Sequence, residues 1–265
     1  MQLYSIASGS SGNCLFVGTA RTGVLIDAGI SMKRIREGLE TQGLSLDRIR
    51  AIFLTHEHMD HVSGLGPVLR KIPIPVYATQ ETIEAIWSKG LMKGVSQDLF
   101  HRIEPAETFL VEDMKVFPMS VSHDAANPVC YTVQADGKKV GVATDMGCYT
   151  DELVDHLKDC DSLLLEANHD INLLQVGSYP YALKMRILGE RGHLSNDTTA
   201  RLIKRLLHPG LQHILLGHLS KENNFPELAY RTVAYELEND PVWNRMETKL
   251  LVANRYEPTE LLTIQ

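Results

Sequence analysis

The run His56-Glu57-His58-Met59-Asp60-His61 follows directly on the apolar stretch Ala51-Ile52-Phe53-Leu54-Thr55. The apolar stretch has the composition of a buried strand, so the cassette falls on the loop beyond the strand's C-terminal end, where α/β proteins place their sites. Side chains alternate along an extended segment, which puts His56 and His58 on one side where they can share a metal ion. Asp60 and His61 can then turn toward a second ion. Imidazole mixed with carboxylate suits zinc, manganese or iron. A polar surface loop is the competing reading. It sits poorly with three histidines inside six positions of a chain that has 11 among 265 residues. The cassette therefore points to two divalent metals and to hydrolysis, and any fold for this chain must hold that loop rigidly.

The surrounding pattern suggests how. Short apolar or β-branched runs at 3–8, 14–18, 23–27, 51–55, 75–78, 115–121, 129–133, 139–144, 162–167 and 213–217 are strand candidates. Amphipathic stretches between them read as helices: Ser31 to Gln42, Asn196 to Leu207, which runs into Pro209-Gly210, and Pro226 to Asn239, which opens on proline. Two strand-rich halves with helices between and after them predict an α/β chain with two packed mixed sheets covered by helices. With 44% hydrophobic residues the chain can bury a sizeable core, and a single domain over 1–265 is expected. No apolar run reaches the length of a membrane span, and MQLYSIASGSSGN lacks a basic segment leading into an apolar one. A cytoplasmic protein is expected, with Cys14, Cys130, Cys148 and Cys160 as reduced thiols because they form no CxxC pair or dense framework. The net charge of -7 offers no basic face for a polyanion, so a nucleic-acid substrate needs local cations, which bound metals can supply.

Two metals need more donors than one cassette provides. His123, Asp145 and His218 each stand just after an apolar run, in SVSH, GVATD and LLLGH. Any one alone is more readily a turn residue or cap. Together with the cassette they complete a donor set.

In this order the residues resemble the metallo-β-lactamase superfamily, whose pattern is an early Asp, HxHxDH, a lone His, a lone Asp and a late His. The resemblance implies an αββα sandwich. It also implies that His56, His58 and His123 hold one metal, that Asp60, His61 and His218 hold the other, and that Asp145 bridges them. Asp27, ending GVLID, would orient a ligand histidine from behind, or serve only as a turn residue. The superfamily contains β-lactamases, thiolesterases such as glyoxalase II and phosphodiesterase nucleases, so fold alone does not choose the chemistry. Many β-lactamases carry cysteine where Asp145 stands. A carboxylate there, with a full second site, favours two ions that share a hydroxide and stabilise an in-line displacement at phosphorus. Glu166 and His193 are similar to the Glu and late His that assist leaving-group departure in ribonuclease Z. A strand-end ion pair and a helix-capping segment are their alternative readings.

Longer segments, SIASGSSGNCLFV, FLTHEHMDHVSGLGPV, LLLEANHD, YPYALKMRILGERGHLSND and LLGHLSKENN, resemble the WalJ/YycJ family of bacterial 5′-to-3′ DNA exonucleases. DNA is then the implied substrate and zinc or manganese the implied cofactor. Within these segments the Gly9–Asn13 turn could offer backbone N–H groups and the Asn13 amide to a phosphate, or simply be a tight turn. Lys221, Asn223 and Asn224 could hold a phosphate near His218, or form a solvated loop. Tyr179, Tyr181, Lys184 and Arg186 combine aromatic and basic groups as single-strand channels do, although most of them fit helix packing and exposed charge better. A glyoxalase II-type thiolesterase is the alternative activity, but that family adds a helical substrate domain and only 47 residues follow His218. A metal-stabilised binding protein without turnover is the third reading. Donors for two ions argue against it, because a structural zinc site closes with four.

Overall fold

A computed structural model describes residues 1–265. The first half lays down β1 (Gln2–Ala7), β2 (Cys14–Gly18), β3 (Gly23–Ile26), α1 (Met32–Thr41), β4 (Ile49–Phe53), α2 (Met59–Val62), α3 (Leu65–Leu69), β5 (Val76–Ala78), α4 (Gln80–Ser88) and β6 (Phe100–Arg102). The second half supplies β7 (Phe109–Val111), β8 (Met114–Ser120), β9 (Val129–Ala135), β10 (Lys138–Ala143), α5 (Asp151–Leu157), β11 (Ser162–Glu166), α6 (Ile171–Val176), α7 (Tyr181–Leu188), α8 (Asn196–Leu206), β12 (His213–Gly217), α9 (Pro226–Glu238), β13 (Lys249–Val252) and β14 (Leu262–Thr263).

These strands form two seven-stranded sheets, ordered β14-β1-β2-β3-β4-β5-β6 and β13-β12-β11-β10-β9-β8-β7. Both sheets are mixed and wired alike. Antiparallel pairings, β1 with β2 and β2 with β3 in one and β7 through β10 in the other, lead into parallel ladders ending at β6 and β13.

Strands buried on both faces read as continuous apolar runs rather than alternating ones, and the side chains of β2 show why. Leu15 and Val17 point into the core between the sheets, which they share with Val24, Phe53, Tyr131, Val142 and Leu215. Phe16, between them in sequence, points the other way, into the layer formed with Ile35 and Leu39 of α1. A third layer packs Leu163 and Ile214 of the second sheet against Leu153, Ile203 and Val233 of α5, α8 and α9. The result is the α/β sandwich expected, helices, sheet, sheet, helices. Each fully buried large aliphatic or aromatic side chain in these layers contributes about 1.5–3 kcal/mol.

Helix ends follow local chemistry. Ser31 accepts the backbone N–H of Arg34 at the start of α1, Ser195 accepts that of Thr198 at the start of α8, and Pro226 occupies the first turn of α9. All four cysteines are free, and no helix is long and apolar enough to cross a membrane. Four strands lie outside the sequence expectation: β6, β7, β13 and β14. All four are the edge strands of the two sheets, pieces of two to four residues too short to show a period.

Candidate metal centre

Both sheets deliver polar residues to one place by ending strands there. β3 ends before Asp27, β4 before His56, β10 before Asp145, β11 on Glu166 and β12 before His218. Seven non-glycine residues adopt a left-handed backbone, and three of them belong to this group: Asp27 (φ 63°), Asp145 (φ 61°) and His218 (φ 53°). Asp and His tolerate that conformation better than most residues, and each such turn swings a strand-end side chain inward. α2 begins immediately after His58 and curls Asp60 and His61 back toward the same point. Neighbouring loops brace it. Gly29 packs so closely on the Asp60 carbonyl that an added Cβ would lie 1.6 Å from that oxygen, and Asn13 N–H donates to it at 2.7 Å.

Four sets of side chains bring donor atoms within 4.8 Å of one another. His56, His58 and His123 form one; Asp60, His61 and His218 form another. Asp145 joins the sets: it groups with His56 and His61, and separately with Glu166, His193 and His218. Its Oδ2 lies 3.3 Å from His61 Nε2, and its Oδ1 lies 3.5 Å from His218 Nε2 and 3.8 Å from His123 Nε2. Asp60 Oδ2 is 3.4 Å from His61 Nε2 and 3.3 Å from His218 Nε2.

The partners behind the imidazoles fix which nitrogen faces inward. His61 Nδ1 donates to Asp27 Oδ2 at 2.7 Å. Thr55 donates its hydroxyl to Asp27 (2.9 Å to Oδ2), leaving Thr55 Oγ1 to accept from His56 Nδ1 at 3.0 Å. His123 Nδ1 donates to the Gly192 carbonyl at 3.0 Å, and His218 Nδ1 to Glu166 Oε1 at 3.1 Å. With Nδ1 turned to a partner in all four, Nε2 is the nitrogen that faces the common centre, the orientation metal-bound histidines generally show.

Nε2 of His56, Nε2 of His123 and Oδ2 of Asp145 are buried without any hydrogen-bond partner. An unsatisfied buried polar group costs about 1–3 kcal/mol, so several converging on one point fit a cation there. Electrostatics agree. Burial pushes His61 and His218 down, but Asp27, Asp145 and Asp60 around the first, and Asp145, Asp60 and Glu166 around the second, more than reverse it, to about 10 for His218. Those carboxylates attract positive charge of any kind.

Glu166 extends the centre outward. Fully buried at the end of β11, it accepts from His193 Nδ1 at 2.6 Å as well as from His218, and its Oε2 accepts from Met146 N–H at 2.8 Å. Burial raises its pKa, but His193 and His218 outweigh that and hold it below the usual carboxylate range. His193 follows Gly192 on the loop before α8 and lines a cavity of about 180 Å³ with Ser10, Asp124, Tyr179 and Arg186.

The expected phosphate holders sit differently. Asn13 is buried against the centre, its Nδ2 3.1 Å from His61 Nε2 and 3.4 Å from Asp60 Oδ2, where it meets donor groups rather than an open surface. Asn223 is also buried, with Nδ2 3.5 Å from Ser220 Oγ, because the 219–224 loop folds back on 168–170: Ser220 N–H donates to Asn168 O, and Asp170 N–H to Asn223 O. Lys221 points outward, 4.0 Å from the Glu222 carboxylate. Asn224 ties the same loop down through Ala167 O and Asn196 Oδ1. Two residues given no role in the sequence reading, Thr55 and Ser8, matter here, together with Asn168, which the sequence places just after Glu166 as a support for the centre. Thr55 links Asp27 to His56; Ser8 Oγ accepts His218 N–H at 2.8 Å; Asn168 Nδ2 donates to the His218 carbonyl at 2.9 Å. For Thr55 and Ser8, spacing from the donors carries no signal in sequence.

A sequence profile of the beta-lactamase superfamily domain matches residues 22–218. Exodeoxyribonuclease WalJ of Streptococcus pneumoniae is 39% identical over 235 residues, 88% of this chain and 87% of its own length. Exodeoxyribonuclease YycJ of Bacillus anthracis is 36% identical, covering 88% of each chain. The metallo-beta-lactamase fold protein YhfI from Bacillus subtilis superposes with a TM-score of 0.70 over 98% of this chain and 99% of its own, at 14% identity.

Proposed function

The chain belongs to the metallo-β-lactamase superfamily, alongside the WalJ and YycJ exodeoxyribonucleases, and from that premise we propose that it is a dinuclear metal-dependent phosphodiesterase removing nucleotides from the 5′ end of DNA. The carrying observation is Glu166, which holds a candidate metal-binding imidazole, His218, and the cavity-facing His193 on one carboxylate oxygen. That links the metal centre to a proton donor at the mouth.

His56, His58 and His123 would hold one ion, Asp60, His61 and His218 the other, with Asp145 between them. Two bound divalent ions, zinc or manganese, supply a nucleophile from water and neutralise the phosphodiester's charge. The chain's own residues do the rest. Asp27 and Thr55 fix the tautomers of His61 and His56. His193, whose pKa burial pushes down but Glu166 and Asp145 raise above the usual imidazole value, would give a proton to the departing sugar oxygen. The whole chain acts as one cytoplasmic domain in this reading, its thiols reduced.

Metal-reconstituted protein, given end-labelled single- and double-stranded DNA beside a thiolester and a β-lactam, is expected to degrade DNA only. Asp60→Ala is expected to leave it intact. Thiolester turnover with DNA untouched by both proteins would establish the glyoxalase-type alternative instead, and elemental analysis identifies the ions. A milder substitution probes the support behind the donors. Asp27→Asn keeps a side chain that tolerates the left-handed backbone but removes the charge facing His61 Nδ1–H. Metal affinity, followed by competition with a chromophoric chelator, is expected to fall about 10–100-fold; unchanged affinity would reduce Asp27 to a turn residue.

A further inference from the structure

Beside the His193 cavity lies another of about 250 Å³, and the two share Ser220 in their walls. Arg255, just after β13, lines the second cavity. Its guanidinium donates to Ser10 Oγ at 3.0 Å, Ser11 Oγ at 3.4 Å and the Leu219 carbonyl at 2.5 Å. All three partners are neutral oxygens. The positioning is deliberate: Arg34 of α1 donates to the carbonyls of Arg255 and Tyr256 at 3.4 and 3.2 Å, and a Cβ on Gly9 would sit 3.0 Å from Arg255 Nη1. The loop that Arg255 grips, Gly9–Asn13, has its far end at the metal centre, where Asn13 approaches His61.

A half-buried guanidinium without a counter-charge is costly unless an anion completes it. Burial lowers the Arg255 pKa, and Tyr256, Tyr179 and Glu222 only partly offset it. Five N–H groups in a planar fork leave donors beyond the three bonds described, and that fork matches two oxygens of a phosphate. Phe225 and Tyr256 line the same cavity, each more than half exposed, and offer faces on which a base can stack.

We propose that Arg255, braced by Ser10 and Ser11, binds the terminal 5′-phosphate of the DNA strand and so sets the first phosphodiester against the centre next door. This rests on the exonuclease reading of that centre and names the end group it selects. Lys221, on the rim of the same cavity, is paired with the Glu222 carboxylate at 4.0 Å, which leaves Arg255 as the cation the phosphate would meet.

The test compares one oligonucleotide carrying a 5′-phosphate or a 5′-hydroxyl, with bis(4-nitrophenyl) phosphate as a substrate that has no terminal phosphate. Wild type is expected to favour the phosphorylated end about 10–100-fold in kcat/KM, the range of a charge-assisted pair. Arg255→Gln is expected to erase that preference by lowering only the 5′-phosphate rate, leaving the other two substrates within about twofold. Arg255→Lys, which keeps charge without the fork, is expected to retain a reduced preference. Absence of preference in wild type, or an equal fall on all three substrates in both variants, would overturn the proposal. Hydrolysis of bis(4-nitrophenyl) phosphate without cleavage of either oligonucleotide would instead remove the exonuclease reading, and this proposal with it.

Discussion

Asp145→Asn is expected to lower kcat/KM on DNA by about a thousandfold or more while the protein stays folded. The carboxylate faces His61, His123 and His218 at 3.3, 3.8 and 3.5 Å, so it touches both candidate donor sets at once. A misplaced or missing ion forfeits several kcal/mol of charge stabilisation at phosphorus, and about 4 kcal/mol corresponds to about three decades in rate. Asparagine is the informative replacement, because it tolerates the left-handed backbone at 145 that alanine would strain. Single-turnover cleavage of end-labelled DNA, with metal content and a melting curve on the same sample, separates chemistry from folding. Cleavage within tenfold of wild type at full metal content would show that Asp145 is not a shared donor.

His193→Ala is expected to cost about 10²–10⁴-fold on DNA, the usual worth of a positioned general acid. The argument turns on the leaving group. A sugar alkoxide needs a proton as it departs, whereas 4-nitrophenolate leaves without one. The same variant is therefore expected to lose less than about tenfold on bis(4-nitrophenyl) phosphate, with unchanged metal content. Equal losses on both substrates would mean that His193 positions the phosphate or the ions instead. Glu166→Gln is a less selective probe, since Glu166 also holds His218 and the Met146 amide.

Much of this is legible in the sequence. Strands buried on both faces betray themselves as apolar runs, and caps such as Ser31 and Ser195 mark helix starts through bonds three residues long. The cassette is legible for the same reason: its chemistry is local. Edge strands escaped because β14 has two residues and β13, Lys-Leu-Leu-Val, gains its strand character only from the neighbour it pairs with. Spatial roles escaped likewise. Thr55 is an unremarkable threonine until Asp27 and His56 close around it, and Asn223 has the composition of a substrate contact but folds inward with its loop. Arg255 lies 37 residues beyond the match to the superfamily profile, in a stretch that carries no motif.

The meeting of the two chain ends has a consequence for timing. β14 pairs with β1, the Met1 amino group donates to Ile264 O, and Leu262 and Ile264 complete the core between the sheets. A chain emerging N-terminus first exposes the cassette loop and the apolar inner face of β1–β4 long before β10 and β12 arrive with Asp145 and His218. The full donor set thus waits for the later strands, and the risk of clumping and of holding a stray ion on three exposed imidazoles is greatest in the half-made state.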